Sequence, residues 1–470
     1  MVVRKGAEKM KTIVVIGGGI TGLTTMHYLK RQLEVEKKQV RLVLIEKNEY
    51  LGGKVHSHKE GNFIMETGAD SIVARHPGVL ELIRELDYEH ELVYNETGIS
   101  YIHTNDELHA IPAGSTFGIP MSLASLRAST LISEQAKQRF LEDENIPNTH
   151  FTKEDSIGEF LEYFLGEEIV RKQIAPVLAG VYSGDLYQLS LASTLPYLVD
   201  YKNNYGSIMK GFEANREQFE KQANKKFISF KKGLSALIDR IEETLPEVTF
   251  MKGVGTQSII QQGEKYQIEL TDGQAILADA VVLAVPNNTV KTLLTNEELQ
   301  PLLEQFSTAS ALTMYLAYHV PDSILPADGT GFIVSHNSSL VCNASTWTSR
   351  KWKHTSKESE LLVRLFYKNN NPRYAELAAM SEEALTEVAK EDIRLSLGVT
   401  DEPAFSIVTK WINQMPRYDL AHKDALRKVE EQLSTYYPNL YLAGCSYYGV
   451  GIGACIANGK HTAERLAQLI

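Results

Sequence analysis

KTIVVIGGGITGL, residues 11–23, decides the fold of this chain. Residues 13–16 are an unbroken run of β-branched apolar side chains, which is typical of a buried parallel strand. Gly17, Gly19 and Gly22 follow with the spacing G-x-G-x-x-G. In this motif the first glycine permits a tight turn, the second lets the backbone approach a pyrophosphate, and the third lets the next helix pack on the strand. The stretch therefore predicts a strand–turn–helix unit that binds a dinucleotide.

The next elements along the chain support this interpretation. Residues 21–33 carry apolar side chains at helical spacing, and the N-terminus of such a helix presents N–H groups and a partial positive charge to phosphate. A second strand, predicted over residues 41–45, ends at Glu46, where an acid can bind ribose hydroxyl groups and repel a 2′-phosphate. A glycine-rich turn without a ligand is the alternative. Strand, motif, helix, strand and acid in register favour the dinucleotide site.

Further glycine-dense segments indicate which dinucleotide is bound. LGGK at residues 51–54 comes just after the second strand, and ETGAD at residues 66–70 follows soon after. At the far end, LYLAGC at residues 440–445 reads as a strand that enters a turn, and more glycines follow it. Several loops of nearly bare backbone suit a ligand longer and flatter than a nicotinamide dinucleotide.

This arrangement resembles the FAD-binding pattern of the amine-oxidase-like flavoprotein superfamily, in which the C-terminal segment returns to the N-terminal dinucleotide fold. The resemblance implies FAD as the cofactor. It also implies a set of cofactor-binding residues, which are Gly17, Gly18, Gly19, Ile20, Thr21, Gly22, Glu46, Lys47, Gly53, Lys54, Thr67, Gly68, Ala69, Asp70, Thr256, Trp411, Val450, Gly451 and Ile452.

The composition of the 470 residues is ordinary for a globular protein, with 23% charged and 43% hydrophobic residues. The net charge of −11 argues against nucleic acid or an anionic membrane as the main partner. The three cysteines form no C-x-x-C pair, which fits a reducing compartment and predicts no zinc site. No stretch reaches the roughly 18 apolar residues that span a bilayer, and residues 1–10 resemble a frayed leader, not a signal peptide. We therefore predict a cytoplasmic protein with at most peripheral membrane contact.

The hydrophobic pattern divides the chain into three domains and predicts the class α/β plus α+β. A discontinuous Rossmann-like FAD-binding domain is expected to comprise residues 11–95, 226–300 and 411–470. Residues 96–225 are expected to form a largely helical insertion. Residues 301–410, in which strands and helices come in separate runs, are expected to form a mixed-sheet substrate-binding domain.

A narrower resemblance spans nearly the whole chain. The motifs that carry it are GGGITGL at 17–23, LGGK at 51–54, GADS at 68–71, LHAIP at 108–112, PVLAGVYSGD at 176–185, GTGFIV at 329–334, TWTSRKW at 346–352, WINQMPRY at 411–418 and GVGI at 449–452. The chain resembles the bacterial oxygen-dependent protoporphyrinogen/coproporphyrinogen oxidase family, especially the soluble form of Gram-positive bacteria. It departs at Ala421-His422, where the family often has glycine-histidine, and at Ser100, where the eukaryotic branch has a propionate-binding arginine. The second departure favours the Gram-positive branch.

This resemblance implies an FAD-dependent oxidase of haem biosynthesis, which dehydrogenates a porphyrinogen to a porphyrin, reduces dioxygen and releases hydrogen peroxide. Coproporphyrinogen III, with four carboxylates, is the preferred substrate, and protoporphyrinogen IX, with two, is the alternative. The expected partners are this tetrapyrrole, dioxygen and other haem-pathway enzymes that receive the product.

The sequence offers few catalytic candidates, because it shows no Ser-His-Asp, Cys-His or paired-carboxylate pattern. The resemblance puts the Gly180 backbone over the flavin, where its carbonyl could stabilise positive charge on the macrocycle, and a tight turn between helices is the alternative. Arg75 and His76 follow residues 66–70 on a predicted loop at the pocket mouth. A guanidinium can bind a propionate with two hydrogen bonds, so we interpret this pair as substrate-binding, with a plain surface arginine as the alternative for Arg75.

Two other classes of function stay open at this point. An amine oxidase or a carotenoid-type desaturase would use the same scaffold, but no motif here indicates a covalent flavin cysteine, and the longest apolar runs read as core strands. An FAD-stabilised protein without turnover is the non-enzymatic alternative, which the sequence does not separate from an enzyme.

Overall fold

The computed structural model describes residues 10–96, 98–182, 185–221, 227–335, 337–418 and 421–470. Three sequence predictions fall partly outside these residues: the leader, positions 183 and 184 of the PVLAGVYSGD motif, and the domain boundary at 225/226. Within the described residues, no helix combines the length and the apolar character that crossing a bilayer requires.

The described residues form 22 β-strands. In chain order they are β1 (Lys11–Ile16), β2 (Val40–Ile45), β3 (Ser57–Glu60), β4 (Phe63–Glu66), β5 (Ile72–Val73), β6 (Leu92–Tyr94), β7 (Ile99–Thr104), β8 (Glu107–Ala110), β9 (Ser115–Thr116), β10 (Ile119–Pro120), β11 (Phe227–Phe230), β12 (Thr249–Met251), β13 (Thr256–Gln262), β14 (Lys265–Leu270), β15 (Ala275–Ala278), β16 (Ala280–Leu283), β17 (Thr308–Pro321), β18 (Gly329–Val334), β19 (Ala344–Trp347), β20 (Glu360–Lys368), β21 (Phe405–Pro416) and β22 (Leu440–Leu442).

The α-helices lie between these strands. In chain order they are α1 (Ile20–Glu36), α2 (Val79–Glu85), α3 (Leu123–Ala128), α4 (Glu134–Leu141), α5 (Ile157–Leu165), α6 (Glu167–Ile169), α7 (Ala175–Tyr182), α8 (Tyr197–Tyr205), α9 (Ile208–Ala214), α10 (Arg216–Lys221), α11 (Ser235–Glu243), α12 (Asn287–Leu293), α13 (Gln300–Leu303), α14 (Thr348–Lys351), α15 (Tyr374–Ala379), α16 (Glu382–Leu397), α17 (His422–Tyr436) and α18 (Ile452–Ala467). A π-helical segment, Val170–Ile174, joins α6 to α7.

A five-stranded parallel sheet, with the order β12-β2-β1-β16-β22, forms the centre of the first domain. Ile13 and Val15 of β1 pack into a core with side chains of α1, α11 and α18, whereas Val14 and Ile16 pack into a second core with β14, α12 and α17. The sheet is therefore buried on both faces, which explains the continuous apolar run of β1. The loop after β1 lies at the carboxyl edge of the sheet, where ligands bind in open α/β folds.

A seven-stranded mixed sheet, with the order β21-β17-β20-β19-β18-β7-β8, forms the second domain. One of its faces is covered by α16: Val363, Leu365 and Tyr367 of β20 share a core with Leu385 and Ile393 of that helix. Because side chains alternate along a strand, the intervening residues of β20 point to the opposite face. That opposite face is directed towards the first domain.

Helices α3 to α10 form a third unit around a core of their own. Its most buried polar contact is an ion pair between Lys202 Nζ and Asp143 Oδ1 at 2.7 Å, with side chains 0% and 2% exposed. The Lys202 ammonium also donates to Gly206 O at 2.8 Å, and Asp143 Oδ2 accepts from the N–H of Ile208 at 2.7 Å. The pair therefore ties the 3₁₀ helix Glu142–Asn145, which carries Asp143, to α8 and α9 inside the core.

The predicted fold class, an α/β dinucleotide fold combined with a helical insertion and a mixed sheet, is confirmed. Strand pairing adds detail that the domain division lacks. β7 and β8 come from the segment expected to be helical, yet they pair into the seven-stranded sheet, and β21 runs across the boundary expected at residue 410. The domain boundaries themselves stay a prediction.

Candidate functional site

The glycines of the loop between β1 and α1 have two different roles: two of them are required by packing within the chain, and one has open space beside it. Gly17 has φ +110°, and a Cβ on it would lie 2.5 Å from the carbonyl oxygen of Ala284. A Cβ on Gly22 would lie 2.0 Å from the carbonyl oxygen of Gly17. A Cβ on Gly19, by contrast, would meet only the carbonyl oxygen of Gly52, at 4.0 Å. Gly17 and Gly22 are therefore required by packing within the chain, whereas Gly19 leaves room for a ligand at the N-terminus of α1, whose first residues Ile20 and Thr21 are buried.

Glu46 connects this loop to the end of β2. Its carboxylate is buried, and its two oxygens accept from the N–H of Gly18 at 2.8 Å and from the N–H of Asn48 at 2.9 Å. The Glu46 carbonyl accepts from the N–H of Val254 at 3.1 Å, which brings the loop before β13 to the same edge. The acid therefore lies beside the glycine loop, where the ribose prediction requires it, and it also fixes the loop. The neighbouring Lys47 is exposed.

Residues 51–54 and 66–70 lie against the glycine loop and against each other. Gly53 comes so close to Gly19 that a Cβ on Gly53 would lie 3.5 Å from the Gly19 Cα. The Lys54 carbonyl accepts from the N–H of Ala69 at 2.9 Å, and a Cβ on Gly68 would lie 2.0 Å from that carbonyl oxygen. The structure thus brings together three glycine segments that the sequence predicted to share one ligand.

The peptide groups of Thr67 and Gly68 are held by two side chains from the seven-stranded sheet. Arg364, which is 3% exposed, donates from Nη2 to the Gly68 carbonyl at 2.9 Å and to the Thr67 carbonyl at 3.3 Å. The indole N–H of Trp411 donates to the same Thr67 carbonyl at 3.2 Å. The guanidinium lies 4.9 Å from the centre of the Phe366 ring. These contacts fix the segment at the interface between the two sheets.

Asp70 ends this segment and pairs with Lys351 at 3.0 Å. Burial opposes ionisation of Asp70, but the charges of Lys351 and Arg364 outweigh it and hold the pKa of the carboxyl at about 2. Asp70 is therefore a carboxylate at neutral pH, and it neutralises Lys351.

The C-terminal segment returns to the glycine loop, as the resemblance implies. Gly451, directly before α18, has φ +95°, and a Cβ on it would meet no atom of the described residues within 4 Å. Val450 before it is 57% exposed, and Ile452 after it is buried. Helix α18 packs closely on α1, because a Cβ on Gly459 would lie 2.0 Å from the hydroxyl of Thr24. The start of α18 therefore offers a second stretch of open backbone.

These residues fit FAD. Two helix N-termini, of α1 and α18, have glycines with open space in front of them, and a buried carboxylate lies at the end of β2. The Thr256 hydroxyl is buried and has no hydrogen-bond partner among the described residues, as expected for a group whose partner is a ligand. The buried Arg364 Nε likewise has no partner among the described residues.

A cavity of about 590 Å³ adjoins the sheet face that carries Arg364 and Trp411. Cross-strand pairing places Ala344 opposite Phe366 and Thr346 opposite Arg364, so these residues share one face. The residues that line the cavity come from β7, β11, β18, β19, α14 and the segment before β7, and they include Ser100, Ile333, Ala344, Thr346 and Lys351. The cavity therefore lies beside this face of the seven-stranded sheet, and the role of that sheet in binding substrate stays a prediction.

Arg75 and His76 do not line this cavity. His76 packs beside the first turn of α18, where a Cβ on Gly453 would lie 2.4 Å from its ring, and Arg75 is exposed. The structure thus puts His76 against the C-terminal segment, and the role of both residues in substrate binding stays a prediction.

The Gly180 carbonyl, near the end of α7, has a partner that the sequence did not indicate. It accepts a hydrogen bond from the Lys368 ammonium at 3.1 Å. A Cβ on Gly180 would lie 3.5 Å from Cδ1 of Ile333, which lines the cavity. The prediction that this carbonyl faces a macrocycle therefore requires the lysine to move.

Sequence reasoning missed Arg364, Lys368 and Lys351. Arg364, Phe366 and Lys368 occupy alternate positions of β20, so they share one face of a strand whose other face is apolar. The sequence did contain one indication of these residues: Arg364 and Lys368 are four positions apart in a predicted strand and therefore share a face. A buried face of a sheet does not usually carry cations unless they are paired. Lys351 lies in the motif TWTSRKW at residues 346–352, which carries part of the family resemblance but did not indicate a role for this lysine.

Glu66, just before the Thr67–Gly68 segment, should make stability depend on pH. Burial raises its pKa to about 7 from 4.5, although the N–H of Leu234 and the Ser57 hydroxyl donate to its oxygens. Between about pH 4.5 and 7 the folded protein keeps a proton that the unfolded chain has released, so stability falls as the pH rises through this window. Glu66→Gln, which mimics the neutral carboxyl, should remove this loss. Thermal unfolding midpoints at a series of pH values test it, and parallel profiles for the two proteins would contradict it.

Comparison with known proteins agrees with this geometry. The sequence model of the family "Flavin containing amine oxidoreductase" matches residues 20–467. Coproporphyrinogen III oxidase of Bacillus subtilis is 31% identical over 459 residues, which cover 97% of each chain. Coproporphyrinogen III oxidase of Staphylococcus aureus is 28% identical and covers 97% of this chain and 99% of its own. A crystal structure from Exiguobacterium sp. 255-15, provisionally named a protoporphyrinogen oxidase, has a TM-score of 0.89 and 31% identity, and covers 99% of this chain and 100% of its own.

Proposed function

The chain belongs to the flavin containing amine oxidoreductase family and is an FAD-dependent oxidoreductase, and from this premise we propose that it oxidises coproporphyrinogen III to coproporphyrin III with dioxygen as the electron acceptor. Two full-length relatives carry the name of that activity. The observation that carries the proposal is the cavity of about 590 Å³ on the face of the substrate sheet from which Arg364 and Trp411 hold the Thr67–Gly68 segment. A substrate in this cavity would lie next to the segment of residues 66–70, because Lys351 lines the cavity and pairs with Asp70.

FAD, when bound, supplies two-electron oxidation of the substrate, and dioxygen takes up the electrons and becomes hydrogen peroxide. In our proposal the open backbone at Gly19 and Gly451 binds the pyrophosphate, because helix N-termini present N–H groups to anions. Glu46 binds the ribose and Thr256 donates to or accepts from the adenosine end. The remaining predicted contact residues, from Lys47 and Lys54 to Val450, complete the site.

The chain's own part in the reaction is mainly positioning. Arg364 and Trp411 hold the Thr67–Gly68 peptide at the sheet interface, and Asp70 stays ionised and paired with Lys351 at the cavity. We propose that the Gly180 carbonyl, once free, stabilises positive charge on the macrocycle, and that Arg75 and His76 bind a carboxylate of the substrate.

Protoporphyrinogen IX is the second candidate substrate, which the name of the Exiguobacterium structure favours. A tetra-anionic substrate gains more from cations around the site than a di-anionic one, which favours coproporphyrinogen. We place the reaction in the cytoplasm, where reducing conditions suit the free thiols of Cys342, Cys445 and Cys455, and we expect the product to pass to another enzyme of haem synthesis.

The purified holoprotein should lose its yellow colour when coproporphyrinogen III is added without oxygen, and should regain it in air with formation of coproporphyrin III and peroxide. Absorption spectroscopy under anaerobic conditions measures both steps. Parallel steady-state assays should give a higher kcat/KM for coproporphyrinogen III than for protoporphyrinogen IX. A flavin that both porphyrinogens leave oxidised would refute a porphyrinogen oxidase, and the reverse order of kcat/KM would assign protoporphyrinogen instead.

A further inference from the structure

Lys368 ends β20 and reaches across to another domain. Its ammonium donates to the carbonyl of Gly180, a residue 188 positions away on α7. The contact therefore links the substrate sheet to the helical unit at one hydrogen bond.

The strand register puts Lys368 on the active-site face. Leu361, Val363, Leu365 and Tyr367 point into the core with α16, so the side chains of Arg364, Phe366 and Lys368 point the other way. Phe366 pairs with Ala344, which lines the cavity. The partner residue Gly180 packs near Ile333, which lines the cavity, because a Cβ on Gly180 would lie 3.5 Å from Cδ1 of Ile333. Lys368 thus lies on the same face of β20 as Phe366 and two residues beyond it, next to the cavity but not among the residues that line it.

The charge of Lys368 is not neutralised in the described part of the chain. No carboxylate there lies within ion-pair distance of its ammonium, whereas Lys351, at the same cavity, pairs with Asp70 at 3.0 Å. Partial burial without a counter-ion lowers the pKa of Lys368. A carbonyl dipole is a weaker partner for an ammonium than a carboxylate. A substrate carboxylate could therefore form an ion pair with Lys368 at the cost of only one hydrogen bond, the one between the ammonium and the Gly180 carbonyl.

We propose that Lys368 binds a carboxylate of the substrate and that, in the absence of substrate, its ammonium donates a hydrogen bond to the carbonyl of Gly180. The proposal rests on the proposed function, since it needs a substrate with carboxylates around an apolar ring. It adds an order of events: the carboxylate draws the ammonium away, and the Gly180 carbonyl then faces the macrocycle. A substrate that lacks a carboxylate at this point would leave the carbonyl blocked.

The test uses the FAD-loaded Lys368→Met variant, which keeps the length of the side chain and removes its charge. Equilibrium binding of coproporphyrin III, followed by absorbance, should weaken about tenfold or more, because a hydrogen bond between charged groups is lost. The KM for coproporphyrinogen III should rise by a similar factor. Added salt should weaken binding to the parent protein more than to the variant. Lys368→Arg should restore most of the affinity.

Lys410 provides the matched control. It is also a lysine of the seven-stranded sheet, and its ammonium donates to the backbone carbonyls of Ala378 and Met380. It lies on the other face of the sheet, because it pairs with Leu312, which belongs to the core with α16. Lys410→Met should leave coproporphyrin binding unchanged. Lys368→Gln replaces Lys368→Met if the methionine variant does not fold.

Two results would overturn the proposal while the proposed function stands: unchanged coproporphyrin III affinity in Lys368→Met, or an equal loss in Lys410→Met. A parent protein that neither binds coproporphyrin III nor oxidises coproporphyrinogen III would overturn the proposed function as well. A loss in Lys368→Met that Lys368→Arg does not restore would assign Lys368 a structural contact with α7 only.

Discussion

Gly19→Val is expected to yield a folded protein without FAD. The backbone of Gly19 has φ −70° and ψ 173°, which any residue adopts, and, apart from its chain neighbours, a Cβ there would meet no atom of the described residues closer than 4.0 Å. The valine side chain would therefore fill the space in front of α1 without straining the fold. That space is where the pyrophosphate must approach the backbone.

The flavin content of purified Gly19→Val, measured by absorbance after denaturation, should fall to near zero, while circular dichroism stays that of the parent. Gly22→Val is the contrasting variant, because a Cβ at Gly22 would lie 2.0 Å from the Gly17 carbonyl oxygen. It should lose the fold together with the cofactor. A Gly19→Val protein that retains the full flavin content would show that the pyrophosphate lies elsewhere.

Asp143→Ala is expected to have the largest effect on stability outside the cofactor site. It leaves the Lys202 ammonium, whose side chain is 0% exposed, without its counter-ion. Removing one partner of a buried ion pair typically destabilises a protein by about 3–5 kcal/mol. The N–H of Ile208 also loses its acceptor. Urea titration followed by circular dichroism should show earlier unfolding of the helical unit.

Two companion variants make this expectation specific. Asp200 pairs with Lys153 at 2.8 Å in the same unit, but both side chains are about half exposed, so Asp200→Ala should change the free energy of unfolding by only about 0–1 kcal/mol. The double variant Asp143→Asn with Lys202→Met should be more stable than Asp143→Ala, because it leaves no buried unpaired charge. Equal loss in Asp143→Ala and Asp200→Ala would contradict the argument.

The extent of sequence-based prediction differs between the two parts of the site. The glycine loop, the start of α1 and Glu46 were predictable because each depends on a local property: a turn that a side chain would block, a helix N-terminus, and an acid at the end of a strand. The structure adds that Gly17 and Gly22 are needed by contacts with Ala284 and with each other, whereas Gly19 is open. The sequence motif alone does not divide the three glycines in this way.

The substrate side depends on contacts between distant residues. Arg364 meets the Thr67 carbonyl across 297 positions, and Lys368 meets the Gly180 carbonyl across 188. The alternation in β20 shows that these two cations share a face, but it does not show which domain lies against that face. The same reason applies to β7, whose pairing partner β18 lies more than two hundred residues further along the chain, and to β8, which joins the sheet through β7.

The residue order of this chain was sufficient to establish the dinucleotide fold and the family resemblance and to predict the two ends of the FAD site, because steric and periodic rules act between neighbours in the chain. Only the packing of the three units decided which carbonyls the buried cations bind and where the cavity lies. Each of those contacts joins two distant segments, and the sequence pattern of either segment is compatible with many packing partners. The partner is selected by burial of the whole interface and by the need to pair a charge that is removed from water.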